Sequence, residues 1–315
     1  MDVRQLEYFL AVVDHGGFNR AARACYVAQP SLSQAIRLLE RDLGSDLFHR
    51  FGRRVVLTEA GLALVEPARS VVRGLGVARA SVAAVHGLVA GRVEIAAMPS
   101  QSVDPLSKMI AAFVERYPGV SVAVRASFTA RDVLDSVRTG VTELGLLASV
   151  VPVAAAGMEL YPVTRQRFVL ITPPDAPFPA DRPVHHTELA GQRLIAGQPG
   201  TGMRSVVDTI LATAPGASIV VESEHRETIL PLVLSGTGLT VLSDSWRALA
   251  LRAGARVLDL EPATHLDVML VARPDSLTPA AREFLTLASE AGAAEAGAAE
   301  AGPAMAEADA QATGR

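Results

Sequence analysis

The chain of 315 residues has one cysteine, Cys25, and one lysine, Lys108, and has no long uninterrupted apolar run. A single thiol excludes structural disulfides within the chain and any cysteine-rich metal site. Cys25 lies among alanines, where a lone cysteine most simply acts as a small apolar side chain. Without a run of eighteen or so apolar residues no transmembrane helix is expected. Asp2, Arg4 and Glu7 break up the hydrophobic stretch that a secretory leader would need, so a cytoplasmic protein is expected. Catalytic signatures are missing too. There is no nucleophile elbow, Walker loop or dinucleotide fingerprint, and Gly200-Thr201-Gly202 lacks both their spacing and the lysine. His185 and His186 are adjacent, so their rings point apart, and no Cys or His nearby completes a metal site. The weight of arginine over lysine reads as codon bias.

Residues 19–61 are the most informative stretch. Ala21, Ala22 and Ala24 are small enough for a second helix to cross closely, and residues 26–29 form a short link. Pro30 suits the first turn of the next helix, where its missing N–H costs nothing. Leu32, Ile36, Leu39 and Leu43 then recur at helical spacing, and Gly44 supplies a C-terminal stop. The opposite arc carries Ser33, Gln34, Arg37 and Arg41, side chains that can bond base edges and phosphates. Residues 48–57 read as two short strands around Gly52, a wing bearing Arg50, Arg53 and Arg54. Any surface helix has a polar arc, so a winged helix that docks a protein stays open beside one that reads DNA. Charge favours DNA: residues 1–90 carry +3 and the remainder −7, within a total of −4.

These features resemble the LysR-type transcriptional regulators. The resemblance is carried by Leu6, Glu7, Tyr8 and Phe9, by Gly17-Phe18, by Gln29-Pro30-Ser31-Leu32-Ser33, by Leu43-Gly44, by Leu47-Phe48 and by Leu57-Thr58 with Gly61. It is strong over the first 61 residues, looser to about residue 287, and absent from the tail. It implies an α+β winged helix-turn-helix domain over residues 1–58, a dimerising linker helix over 59–90, and an α/β two-subdomain effector-binding domain over 91–290 built like a periplasmic solute-binding protein. Gln29, Pro30, Ser31, Ser33, Gln34, Arg37, Arg50, Arg53 and Arg54 are the DNA-contact candidates. Implied partners are double-stranded DNA with dyad symmetry, a small-molecule effector, a second copy in a homodimer or homotetramer, and RNA polymerase; no cofactor, metal or membrane is implied.

Thr58 is a candidate N-cap for the linker helix, with Glu59 in its first turn. Leu62, Val65, Val72, Leu75, Val82 and Val85 form an apolar seam that suits the same helix of another copy, and packing within the chain is the alternative. Pro67 is expected to kink or break the helix near Ala63.

From Gly91 onward short apolar runs alternate with helical segments. Strands are expected at residues 93–97, 120–126, 144–148, 168–172, 219–222, 239–242 and 268–272, and a helix at 105–117 capped by Asp104. Such alternation predicts an α/β sheet whose ligands bind at strand ends and helix starts. The resemblance divides it into residues 92–163 with 266–287, and residues 164–265, with an effector cleft between them. Candidates on one side are Ser100, Gln101 and Ser102, then Ser127, Phe128 and Thr129, then Ser149 near a hinge. On the other are Thr201, Gly202, Arg204, His225, and Asp244 at the second hinge. Hydroxyls before helices are also ordinary caps, and Arg204 can simply pair with Asp208. Residues 243–246 depart from the resemblance, which calls for a proline there.

Residues 291–315 are Ala-Gly-Glu low complexity without an apolar stripe and read as disordered. An enzyme with an accessory winged-helix domain and an exported solute-binding protein are the competing readings. The first lacks a catalytic motif, and the second has no use for a DNA-reading head.

Overall fold

The computed structural model describes residues 1–51, 54–85 and 91–290. Helix α1 (Val3–His15) starts at a reciprocal cap: the Asp2 carboxylate accepts the Gln5 N–H and the Gln5 side chain accepts that of Asp2, both at 2.9 Å. Gly16, at φ +63°, ends it in the left-handed conformation that glycine adopts without strain. Helices α2 (Phe18–Ala24) and α3 (Gln29–Leu43) follow, and α3 begins on Pro30 and stops at Gly44. Leu32, Ile36 and Leu39 are fully buried with Phe9, while Phe48 packs its ring 5.4 Å from Phe9 and 5.6 Å from Phe18. The strands β1 (Phe48–Phe51) and β2 (Arg54–Leu57) pair antiparallel as the wing. The Glu40 carboxylate on α3 accepts the Leu47 N–H at 3.0 Å and so fixes where the wing leaves the helix.

Helix α4 (Glu59–Val85) is capped by Thr58, whose hydroxyl accepts the Gly61 N–H at 2.9 Å. It runs through Pro67 as one element instead of breaking there, because only the bond between a proline and the turn before it is lost. At 27 residues it is roughly 40 Å long. The predicted seam divides between two faces. Val65 and Val72 pack on the core of the head, whereas Leu62 and Val82, with Val71, are exposed. Residues 65 and 72 are turned inward by the packing of α4 on the head, which leaves only part of the seam free. Arg69 on α4 pairs with Asp14, and Arg73 donates to the carbonyls of Thr142 and Gly140, so the helix is held from both sides.

The body is one ten-stranded sheet folded into two lobes. Lobe I contains β3 (Gly91–Ala97), α5 (Pro99–Gln101), α6 (Ser107–Arg116), β4 (Val120–Ala126), α7 (Ala130–Arg138) and β5 (Leu144–Ser149), with β3 parallel to both neighbours. The long strand β6 (Glu159–Thr172) then crosses out of it: its first part pairs with β12 (His265–Ala272), and residues 168–172 pair in lobe II. Lobe II holds β7 (Val184–His185), β8 (Arg193–Ala196), α8 (Gly202–Thr213), β9 (Ser218–Glu222), α9 (Arg226–Leu234), β10 (Leu239–Ser243), α10 (Arg247–Arg252) and β11 (Arg256–Glu261). The chain returns through residues 262–264 into β12, and a last helix, α11, covers residues 279–290. A hydrogen bond of 2.9 Å from the Phe168 N–H to the Thr264 carbonyl joins the two crossings.

Three sequence expectations change here. The second crossing lies at residues 262–264, and Asp244 opens a single helical turn, Asp244–Trp246, packed against lobe I. Asp104 does not cap a helix: α6 starts later, at Ser107, without a side-chain cap, and the Asp104 carboxylate accepts from Lys108 at 2.9 Å. Strands β8 and β11 and the first part of β6 are present where no strand was expected. Gly145 on β5 shows how tightly lobe I is packed, since a Cβ there would lie 2.4 Å from a Val133 methyl.

Candidate functional site

Two surfaces matter, and the first is the outward face of α3. Ser31, Gln34, Arg37 and Arg41 are exposed there, with Pro30 at the helix start and Gln29 partly covered. Ser33 is not on that face. It is buried, and its hydroxyl accepts from the Gln29 side chain at 2.7 Å, which pins the first turn instead of presenting a donor. Arg50 and Arg54 lie on the wing strands, and Arg53 lies outside the described residues. Sequence reasoning passed over Tyr26. It is 96% exposed at φ +53°, in the turn leading into α3. A large aromatic residue in that conformation is uncommon.

The second surface is a cleft of about 720 Å³ between the lobes, a size that suits a small organic molecule. Six of the predicted residues line it: Ser100, Gln101, Ser149, Thr201, Gly202 and Arg204. Most of their polar groups are already engaged. Gln101 is buried and donates to Gln166 at 3.2 Å, and the Ser149 hydroxyl donates to the Val151 carbonyl at 2.7 Å. Thr201 caps α8, accepting the Arg204 N–H at 3.3 Å and donating to the Gln198 carbonyl at 2.9 Å. Arg204 is neutralised by Asp208 at 2.8 Å and Glu222 at 2.5 Å. Ser100 accepts from the Trp246 indole N–H at 3.3 Å, which ties α5 to the turn after β10 beside the cleft.

The other candidates fall away from the cleft wall. Ser102 bonds back to the Met98 carbonyl, and Ser127 is buried behind the loop. Phe128 is partly exposed, and Thr129 caps α7 in a reciprocal pair with Asp132. His225 is exposed, 3.3 Å from Glu227. Asp244 lines a smaller cavity with Gln166 and Thr164, and burial raises its pKa against the opposing pull of Arg167.

The cleft contains residues that no motif announced. Met98, Phe168, Met203 and Leu242 give it an apolar lining. Arg226, at the start of α9, adds a guanidinium whose pKa burial lowers to about 10. Among the described residues no group of side chains could hold a metal ion.

A winged helix-turn-helix head, a long connecting helix and a two-lobed body with a cleft define a DNA-binding sensor. The chain belongs to the LysR family of bacterial transcriptional regulators: residues 3–62 match the bacterial regulatory helix-turn-helix protein of the lysR family, and residues 86–293 match the LysR substrate binding domain. It is 29% identical over 294 residues to a RuBisCO operon transcriptional regulator of Allochromatium vinosum, covering 90% of this chain and 94% of that one. It is 30% identical over 246 residues to a hydrogen peroxide-inducible genes activator of Pectobacterium carotovorum subsp. carotovorum, covering 77% and 80%. A full-length OxyR from Pseudomonas aeruginosa superimposes with a TM-score of 0.71 at 24% identity, covering 92% and 94% of the two chains. Full-length CbnR complexed with its target DNA gives 0.64 at 22% identity, covering 92% and 100%. The protein is therefore a DNA-binding transcriptional regulator with an effector-binding domain.

Proposed function

We propose that α3 reads promoter DNA of dyad symmetry through Ser31, Gln34 and Arg37, with Gln29 and Pro30 at its start and the arginines of the wing on the phosphates. Two copies joined along the outer face of α4, as a homodimer or within a homotetramer, match the two half-sites. A small-molecule effector, and no cofactor, occupies the cleft, changes the angle between the lobes and so alters how the heads hold and bend the promoter before RNA polymerase. The cleft itself carries this reading, because it lies at the junction of two lobes joined by two crossing segments, where a ligand can favour one lobe geometry over another. The chain acts as a regulator and not an enzyme, in the cytoplasm; among the described residues no helix is long and apolar enough to cross a membrane.

The peroxide response named for one relative is not part of this reading. The only thiol, Cys25, is in the head at the end of α2, its pKa raised by burial and then by Glu7, and a lone cysteine cannot close a disulfide within the chain. An electrophoretic shift assay on the DNA upstream of the gene tests the proposal. A retarded complex that weakens steeply between 50 and 200 mM salt is expected, by about a thousandfold or more if six phosphates are contacted. Equal affinity for that DNA and random DNA at every salt concentration refutes it.

A further inference from the structure

Arg226 carries an inference that rests on the effector reading and goes beyond it. Its guanidinium lies over Gly197, where a Cβ would come within 2.5 Å of Nη1, so the glycine leaves room for the group. Its Nη1 lies against the thioether sulfur of Met203, a weak acceptor for a full cation. Asp208 and Glu222 hold Arg204, and Glu227 faces His225. Among the described residues Arg226 has no ion pair, and burial alone lowers its pKa, to about 10, which leaves it charged at neutral pH. A desolvated cation without a counter-charge is unfavourable, and an anion delivered from solvent into the same cavity removes that cost.

The rest of the cleft says what that anion is attached to. Met98, Phe168 and Leu242 face the same space with methyl, aryl and aliphatic groups, and the other guanidinium there, Arg204, is already neutralised. One free positive charge, in a fork that matches a carboxylate, suits a single negative charge better than two. We infer that Arg226 is the anion-binding point of the cleft and that the effector is a small organic monocarboxylate with an apolar body.

Thermal melting of the full chain tests this with 3-phenylpropanoate and 4-methylpentanoate as probes, each beside its neutral amide. In the wild type both carboxylates are expected to raise the melting temperature well above the effect of the amides. Arg226→Met should weaken carboxylate binding by about tenfold or more, and Arg226→Lys, which keeps the charge but loses the fork, by less. Without ligand Arg226→Met should melt no lower than the wild type, because it replaces an uncompensated charge with an unbranched apolar chain that spans the aliphatic part of the arginine. Amides as effective as carboxylates, or a Met variant that keeps the carboxylate response, overturn the anion assignment while leaving a ligand-binding cleft intact. Silence of both probe series in the wild type overturns the inference, and the DNA shift assay then decides the regulator reading separately.

Discussion

Replacing Ser100 by alanine removes the acceptor for the Trp246 indole N–H, the contact of 3.3 Å that links lobe I to lobe II beside the cleft. Trp246 is 5% exposed, so water reaches the stranded N–H only if the lobes separate. A buried donor left unpaired costs about 1–3 kcal/mol, and a contact this long belongs at the lower end, about 1 kcal/mol. For a domain of this size that lowers the melting temperature by about 2–4 °C. It also shifts the equilibrium between closed and open lobes about fivefold toward open, since 1.4 kcal/mol is a factor of ten. Trp246 is the only tryptophan in the chain, so its fluorescence reports on this junction alone. Ser100→Ala should red-shift the emission and lower the melting temperature. Trp246→Phe should lower the melting temperature less, and the double variant should fall short of the sum by about 0.5–1 kcal/mol. Strict additivity together with unshifted emission refutes the clasp, and Ser100 then returns to being only the first turn of α5.

Gln34→Ala should cost about 1–3 kcal/mol on the promoter and nothing on random DNA, whereas Arg53→Ala should weaken both alike; equal losses for Gln34→Ala on the two DNAs remove Gln34 from base reading. Leu62→Glu combined with Val82→Glu, on the exposed face of α4, should give monomers at micromolar concentration in sedimentation, while an intact dimer would place the interface elsewhere. His186 is 2% exposed with its Nε2 unpartnered, and burial, then His185, lowers its pKa below 6.5. The folded state thus takes up a proton less readily than the unfolded chain, so stability is fully present above pH 6.5 and falls as pH drops below it toward the lowered value. His186→Phe should flatten that decline in urea melts at pH 7 and pH 5, and an unchanged decline assigns it to other groups.

The sequence alone determined the head. Its helices are local objects: Asp2 with Gln5, Pro30, Gly16, Gly44 and the spacing of Leu32, Ile36 and Leu39 specify starts, stops and the inward face within a few residues of one another, so they can be read from the chain in order. The same holds for the alternation that announced an α/β body. It fails where a residue's role depends on distant neighbours. Ser33 follows the polar pattern of its helix, yet the packing of the head turns it inward, where its hydroxyl meets the Gln29 side chain one turn back. Val72 fits a dimer seam, but which face of α4 meets the head is settled by Ala68 and the helices it touches. Strand β6 pairs first with β12, over a hundred residues later in the chain, and then with β10 and β11, a division no local window contains. The cleft is the strongest case. Arg204 and Arg226 are equivalent letters in the sequence; Asp208, one helical turn on, can be read as a partner for Arg204, but only the tertiary structure adds Glu222 from β9 and leaves Arg226 facing a thioether, because such counter-charges are assigned by distance in space and not along the chain.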